Sequence, residues 1–215
     1  MRLLALAVLL ALPAAAPARE GAGPVSAPAA PPTRKPEWQF SASASANFAR
    51  HGRDYGQPTV IADRGGLHLE ARYNSEALET GSAWVGWNLA FGRKVRFEAT
   101  LMAGGVFGAI DGIAPGYEVT ITWGRLTFSN QGEYVFDLED RAADYFYNWA
   151  QLGYSPFDWL SAGFATQRTR VYDERLGFQP GFFVGSSYRA WSLTVSVFNP
   201  GERTQTVVCA LAVGF

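Results

Sequence analysis

The chain has 215 residues, 48% hydrophobic and 14% aromatic, with 18 Lys and Arg against 19 Asp and Glu and a formal net charge of -1. A near-neutral balance without a basic patch excludes a nucleic-acid surface, and no Gly-rich phosphate loop leads into a helix. Cys209 is the only cysteine, so no intramolecular disulfide can form.

Residues 1–18 (MRLLALAVLLALPAAAPA) carry one Arg, an apolar run from Leu3 to Leu12 and the small-residue site Ala16-Pro17-Ala18. This is the pattern of a cleaved signal peptide, too short for a membrane helix of about 20 residues. No cysteine follows the apolar run, which argues against a lipoprotein. Residues 19–36 (REGAGPVSAPAAPPTRKP) are rich in Pro and Ala and hold no aromatic residue. Such a segment cannot bury enough surface to offset chain entropy and reads as a disordered leader. Residues 37–215 then form one domain.

From Trp38 the chain becomes a string of alternating segments broken by Gly, Pro, Asn and Asp. Trp38, Phe40, Ala42, Ala44, Ala46 and Phe48 share a face opposite Gln39, Ser41, Ser43, Ser45 and Asn47. His51 to Gln57 reads as a polar loop, and Pro58 to Ala62 as a weak, short strand. Leu67, Leu69, Ala71 and Tyr73 oppose His68, Glu70, Arg72 and Asn74. After a loop from Ser75 to Gly81, Ala83, Val85, Trp87, Leu89 and Phe91 form an apolar row. Beyond the Gly92-Arg93-Lys94 turn, Val95, Phe97, Ala99, Leu101 and Ala103 oppose Arg96, Glu98, Thr100 and Met102. Gly108 to Gly116 reads as a loop. Tyr117, Val119, Ile121 and Trp123 follow, against Glu118, Thr120 and Thr122. After Gly124-Arg125, Leu126, Phe128, Tyr134 and Phe136 alternate with Thr127, Ser129, Gln131, Glu133 and Asp137. An acidic loop from Glu139 to Asp144 precedes YFYNWAQLGY, which is aromatic on both faces and so has no readable orientation. Ser155 to Asp158 reads as a turn, Asp173 to Pro180 as a loop, Arg189-Ala190 as a turn, and Trp191, Leu193, Val195 and Val197 as an outward row.

The last stretch, TQTVVCALAVGF, places Val207, Cys209, Leu211, Val213 and Phe215 on one face of a strand that stops on an aromatic residue. A soluble sandwich edge is the bland reading, although terminal residues usually fray into water. Here the chain resembles the outer-membrane β-barrel proteins of Gram-negative bacteria, a small, little-characterised group and not a named porin or enzyme. The resemblance implies that this terminal row is the signal read by the barrel-assembly machinery and that residues 19–36 lie in the periplasm. It places the barrel among lipid and lipopolysaccharide.

The expected fold is therefore all-β, a transmembrane antiparallel up-and-down barrel of twelve strands, with eight or ten left open by the weak Pro58 segment and the Gly124 break. An even count suits two termini on one side, and the short turns then all fall on the periplasmic side and the longer loops outside. Strands need only about 9–11 residues each to cross. Trp38, Tyr73, Phe91, Trp123, Tyr134, Trp159 and Trp191 near the row ends are the aromatic girdle expected of a lipid-facing exterior. Charge on the other face in mid-strand is the reverse of a soluble lipocalin-like barrel.

The chemistry is then in the interior: His68, Glu70, Arg72, Arg96, Glu98, Glu118, Arg125, Glu133 and Asp137 are the candidate lumen-lining set. Such a set fills a barrel as a salt-bridge network, or lines a pore that selects small solutes by size and field. Its near-neutral balance argues against strong ion selectivity. Catalysis fares worse. Outer-membrane lipid hydrolases have a His and a Ser two residues apart, and neither His51-Gly52-Arg53 nor His68-Leu69-Glu70 matches that. His68 and Glu70 supply at most two metal ligands, so neither metal nor cofactor is expected. The Gln167 to Arg170 run reads as an outer rim that meets lipopolysaccharide phosphates. The functional expectation is a non-enzymatic, narrow channel for small solutes. A structural or anchoring barrel that binds a partner through its loops or leader is the alternative, and a lipid-modifying enzyme a third reading.

Overall fold

The computed structural model describes residues 36–51, 54–74, 80–108, 110–139, 144–171 and 177–215. The signal-peptide and leader readings lie outside these residues, apart from Pro36.

The strands are β1 (Gln39–Ala49), β2 (Tyr55–Arg64), β3 (Leu67–Asn74), β4 (Thr80–Phe91), β5 (Val95–Phe107) and β6 (Gly112–Trp123). They continue as β7 (Leu126–Asp137), β8 (Tyr145–Phe157), β9 (Leu160–Val171), β10 (Gly177–Tyr188), β11 (Trp191–Phe198) and β12 (Thr206–Gly214). Each pairs antiparallel with its sequence neighbours, and β1 pairs with β12 to close the barrel. Closure leaves no edge, which a spanning sheet requires because hydrocarbon cannot bond free amides. The closed twelve-strand ring settles the strand number and removes the sandwich reading.

The seam is completed outside the regular ladder. Phe40 N–H donates to Phe215 O at 2.9 Å and Phe215 N–H donates to Phe40 O at 2.8 Å. The two rings stack with centroids 6.2 Å apart, and Trp38 stacks on Phe40 in the same way.

One end of the barrel is closed by short turns. Gly65 and Gly124 supply φ of +62° and +58°, the left-handed region that glycine enters without steric cost. The long-loop end differs from the sequence expectation in a consistent direction. β2 begins at Tyr55 and β6 at Gly112, so both strands run into stretches read as loops. Glycine and proline there were read as breakers. Yet Pro115 still aligns with Ala103 of β5, while on its other side the β6–β7 ladder lapses between Ile113 and Gly116. Proline lacks the N–H that one neighbour would need, so the ladder is lost on one side only. The turn expected at Ser155 to Asp158 is likewise a correction. β8 continues to Phe157, its register with β9 shifts between Tyr154 and Phe157, and the turn itself is Asp158-Trp159.

Side-chain alternation decides inside from outside. Phe91, Trp123, Trp159 and Trp191 are exposed at the short-turn end, and Trp38 lies beside them. Tyr73 is exposed near the long-loop end, where Tyr134 is tilted against Phe136 at 4.6 Å. The exterior between these levels is apolar, with Val85, Trp87, Leu101, Leu152, Phe164, Phe182 and Leu211 all exposed. Inside, β8 acquires the orientation that sequence could not give: Tyr145, Tyr147 and Trp149 are buried within the barrel, and Leu152 and Tyr154 face out.

Candidate functional site

β3 is the organising strand of the interior. Alternation puts His68, Glu70 and Arg72 on its inward face in succession, at 3%, 5% and 7% exposure. Residues two apart on one face are near enough to pair, and they do. Arg72 grips Glu70 through two nitrogens, Nε to Oε1 and Nη2 to Oε2, the second at 2.9 Å. This is the bidentate geometry in which a planar guanidinium matches a carboxylate.

The guanidinium then reaches across the barrel. Its Nη1 donates to Glu133 Oε2 on β7 at 2.9 Å, and its Nη2 lies 3.8 Å from Glu118 Oε1 on β6. Trp84 of β4 lies under it, with 4.8 Å from the guanidinium carbon to the ring centroid, and the Met102 sulfur of β5 is 3.8 Å from Nη2. One cation thus draws together five strands, from β3 to β7. The Tyr145 hydroxyl of β8 also hydrogen-bonds Glu133.

Toward the short-turn end the network continues through His68. Its Nε2 is 3.3 Å from Glu70 Oε2 and its Nδ1 is 2.9 Å from Asp63 Oδ1 on β2. Asn88 Nδ2 donates to the same Asp63 oxygen at 2.7 Å, and Thr100 Oγ1 donates to Asn88 Oδ1 at 2.6 Å. The result is a continuous polar chain from Thr100 to Glu133. Four carboxyl groups (Asp63, Glu70, Glu118, Glu133) face two bases (His68, Arg72) along it.

Of the nine residues singled out from sequence, five meet in this knot: His68, Glu70, Arg72, Glu118 and Glu133. Arg96 and Glu98 form a separate pair at 2.7 Å near the short-turn end, with side chains 61% and 41% exposed. Arg125 lies in the β6–β7 turn, where its Nη1 donates to the carbonyls of Ser155 (3.0 Å) and Pro156. Asp137 lies at the opposite end, accepting from Glu139 N–H at 2.7 Å. Period-two alternation gives the face of a residue but not its height, so it merges knot and rims into one set.

Sequence reading missed the aromatic filling. Trp149 meets Phe198 of β11 edge-on at 4.8 Å between centroids, a second tie across the interior. Trp84, Tyr147 and Phe183 are buried beside these ties. Apolar residues at inward positions break the rule that the inside of a spanning barrel is polar, so hydrophobicity alone could not find them. Asp63 lies one residue past the Pro58 to Ala62 segment, and only the longer β2 carries it to an inward position.

His51, at the long-loop rim, has its Nδ1 3.2 Å from the Arg203 carbonyl oxygen, and Asp54 accepts from Ala49 N–H at 3.2 Å. Arg168 is exposed and stacks over Phe178 at 5.3 Å. Among the described residues no group of three or more His, Cys, Asp or Glu is disposed to hold a metal ion.

No protein-family model and no curated protein matches the chain. Solved structures do. The chain is similar to the KdgM porin, with a TM-score of 0.55 and 10% identity over 81% of this chain and 98% of that one. It is similar to the NanC porin with a TM-score of 0.55 and 9% identity over 82% and 98% of the two chains. KdgM in complex with disordered oligogalacturonate gives a TM-score of 0.54 at 10% identity. What these likenesses show is a shared barrel fold.

Proposed function

We propose that the protein is a narrow channel for small solutes in the outer membrane of a Gram-negative bacterium, held nearly shut by the Arg72 knot. The observation that carries this reading is the reach of Arg72 from β3 to Glu133 on β7 inside a closed barrel whose outer wall is apolar. A structural plug would be served as well by apolar packing, since a buried ion pair is a weak source of stability. A charged tie spanning the interior constricts the path and sets the field that a passing solute meets. The fold shared with KdgM and NanC supports the channel reading.

In this reading residues 1–18 direct export, Phe215 and its row direct assembly, and lipopolysaccharide surrounds the long-loop end. No lipid-modifying chemistry is assigned to His51. The oligogalacturonate seen with KdgM is a chain of carboxylated sugars. Three carboxylates around one guanidinium make the present interior a poor match for such a polyanion.

The test is planar-bilayer conductance of the mature protein purified in folded, heat-modifiable form. Discrete current steps are expected, and Arg72→Ala should raise their size or open time. Folded protein that carries no current, as wild type and as Arg72→Ala, would overturn the channel.

A further inference from the structure

We propose that the same interior holds a binding site for an uncharged, polyhydroxylated solute, with the chemistry of a neutral sugar. This rests on the channel reading above and adds the class of solute. The observation is a set of buried polar groups left without partners. On β1 and β2 these are both amide atoms of Asn47, Gln57 Oε1 and Thr59 Oγ1. On β8 and β9 they are Trp149 Nε1, Gln151 Nε2 and Gln167 Nε2. None has a hydrogen-bond partner among the described residues, and none of these side chains is more than 6% exposed. All sit at inward positions of their strands.

Buried polar groups in folded proteins are almost always paired with protein or ordered water, so a set this large marks a place where hydroxyl groups can bond. The two groups of strands lie on opposite sides of the ring. Their atoms offer both donors and acceptors, which a hydroxyl can match because it gives one hydrogen bond and accepts others. Trp149 and Phe198, edge to face between them, present the flat apolar surfaces on which the C–H face of a sugar ring packs. Charge is sparse in this half, where the inward face of β2 carries only Asp63, already bonded to His68 and Asn88. Among the described residues, the inward positions of β8 to β12 and of β1 carry no charged side chain. A carboxylated solute would find no counter-ion there, since the guanidinium of Arg72 is already committed to its own acids.

The experiment uses the mature protein in a planar bilayer, with K+ current as readout and two probes of equal ring number, maltotriose and trigalacturonate. Maltotriose should block the current transiently at a concentration roughly ten-fold below that needed for trigalacturonate, the factor carried by about one well-made hydrogen bond. Gln57→Leu and Gln167→Leu should each weaken that block by a similar factor, measured relative to each variant's own unblocked K+ current, while the heat-modifiable mobility stays that of the folded barrel. A block by trigalacturonate at equal or lower concentration overturns the site. So does a maltotriose block indifferent to both variants, which would make these groups water-filled packing. Equilibrium dialysis against labelled maltotriose separates the two readings. Saturable binding to a folded protein that carries no current supports the site and overturns the channel. Neither binding nor current overturns both.

Discussion

Arg72 is the residue on which the interior depends most. Among the described residues its guanidinium alone reaches all three of Glu70, Glu118 and Glu133. Removing one member of a buried ionic group leaves its partners charged and unpaired, at a cost of about 3–5 kcal/mol, whereas removing opposed charges together costs far less. Arg72→Ala should therefore lower unfolding stability in lipid vesicles by that amount, read from urea midpoints. Arg72→Met combined with Glu70→Gln and Glu133→Gln should recover most of the loss. Failure of the triple variant to recover it would mean that Arg72 acts through its packing on Trp84 and Met102. Lysine is no substitute, because a single ammonium cannot hold Glu70 bidentately and reach Glu133 at once.

At the scale of the strand, the wall formed by β6, β7 and β8 carries a feature that a barrel exterior ordinarily avoids. Tyr117, Asn130 and Asn148 are at outward positions in a wall otherwise apolar. The Tyr117 hydroxyl donates to Asn130 Oδ1 at 2.7 Å and accepts from Asn148 Nδ2 at 3.0 Å. The two asparagines also bond each other and the backbone carbonyls of Gln131 and Trp149. The triad is polar but self-satisfied, so it asks nothing of lipid. Its geometry needs the Tyr117 ring to lie over Gly132, where an added Cβ would stand 2.9 Å from the ring. Tyr117→Phe should cost about 1 kcal/mol, one hydrogen bond, in the same vesicle unfolding assay. Gly132→Val should cost more, by displacing the ring and uncoupling all three side chains. A Tyr117→Phe midpoint equal to wild type would mean that the asparagines alone hold the triad. The same strands show what sequence could and could not give. Alternation in Val95–Phe107 made its faces legible at once. The aromatic run Tyr145–Trp149 did not, because its orientation is set by partners on β7 and β11 that lie far away in sequence. Likewise, Gly112 to Gly116 was misread because glycine and proline break local propensity, while the ladder to β5 supplies what propensity lacks.

For the whole molecule, two ties cross the interior independently, one ionic from β3 to β7 and one aromatic from β8 to β11. Arg72 and Phe198 share no contact residue, although the ionic network extends to Asp63 on β2 and, through Glu133, to Tyr145 on β8. A tie that narrows a common path adds its own resistance, so opening one should relieve only part of the constriction. Effects at sites without shared partners combine additively. Phe198→Ala should therefore raise unit conductance by itself, and Arg72→Ala with Phe198→Ala should raise it further than either alone. Both changes can be made without breaking the closed hydrogen-bonded ring, since each alters only an inward side chain. If Phe198→Ala leaves the conductance of a folded barrel unchanged while Arg72→Ala raises it, solute runs only through the ionic half of the interior, along the carboxylates. If instead Phe198→Ala accounts for the whole increase, the ionic knot is scaffold and the path lies along the amide-lined wall of β1, β2, β8 and β9.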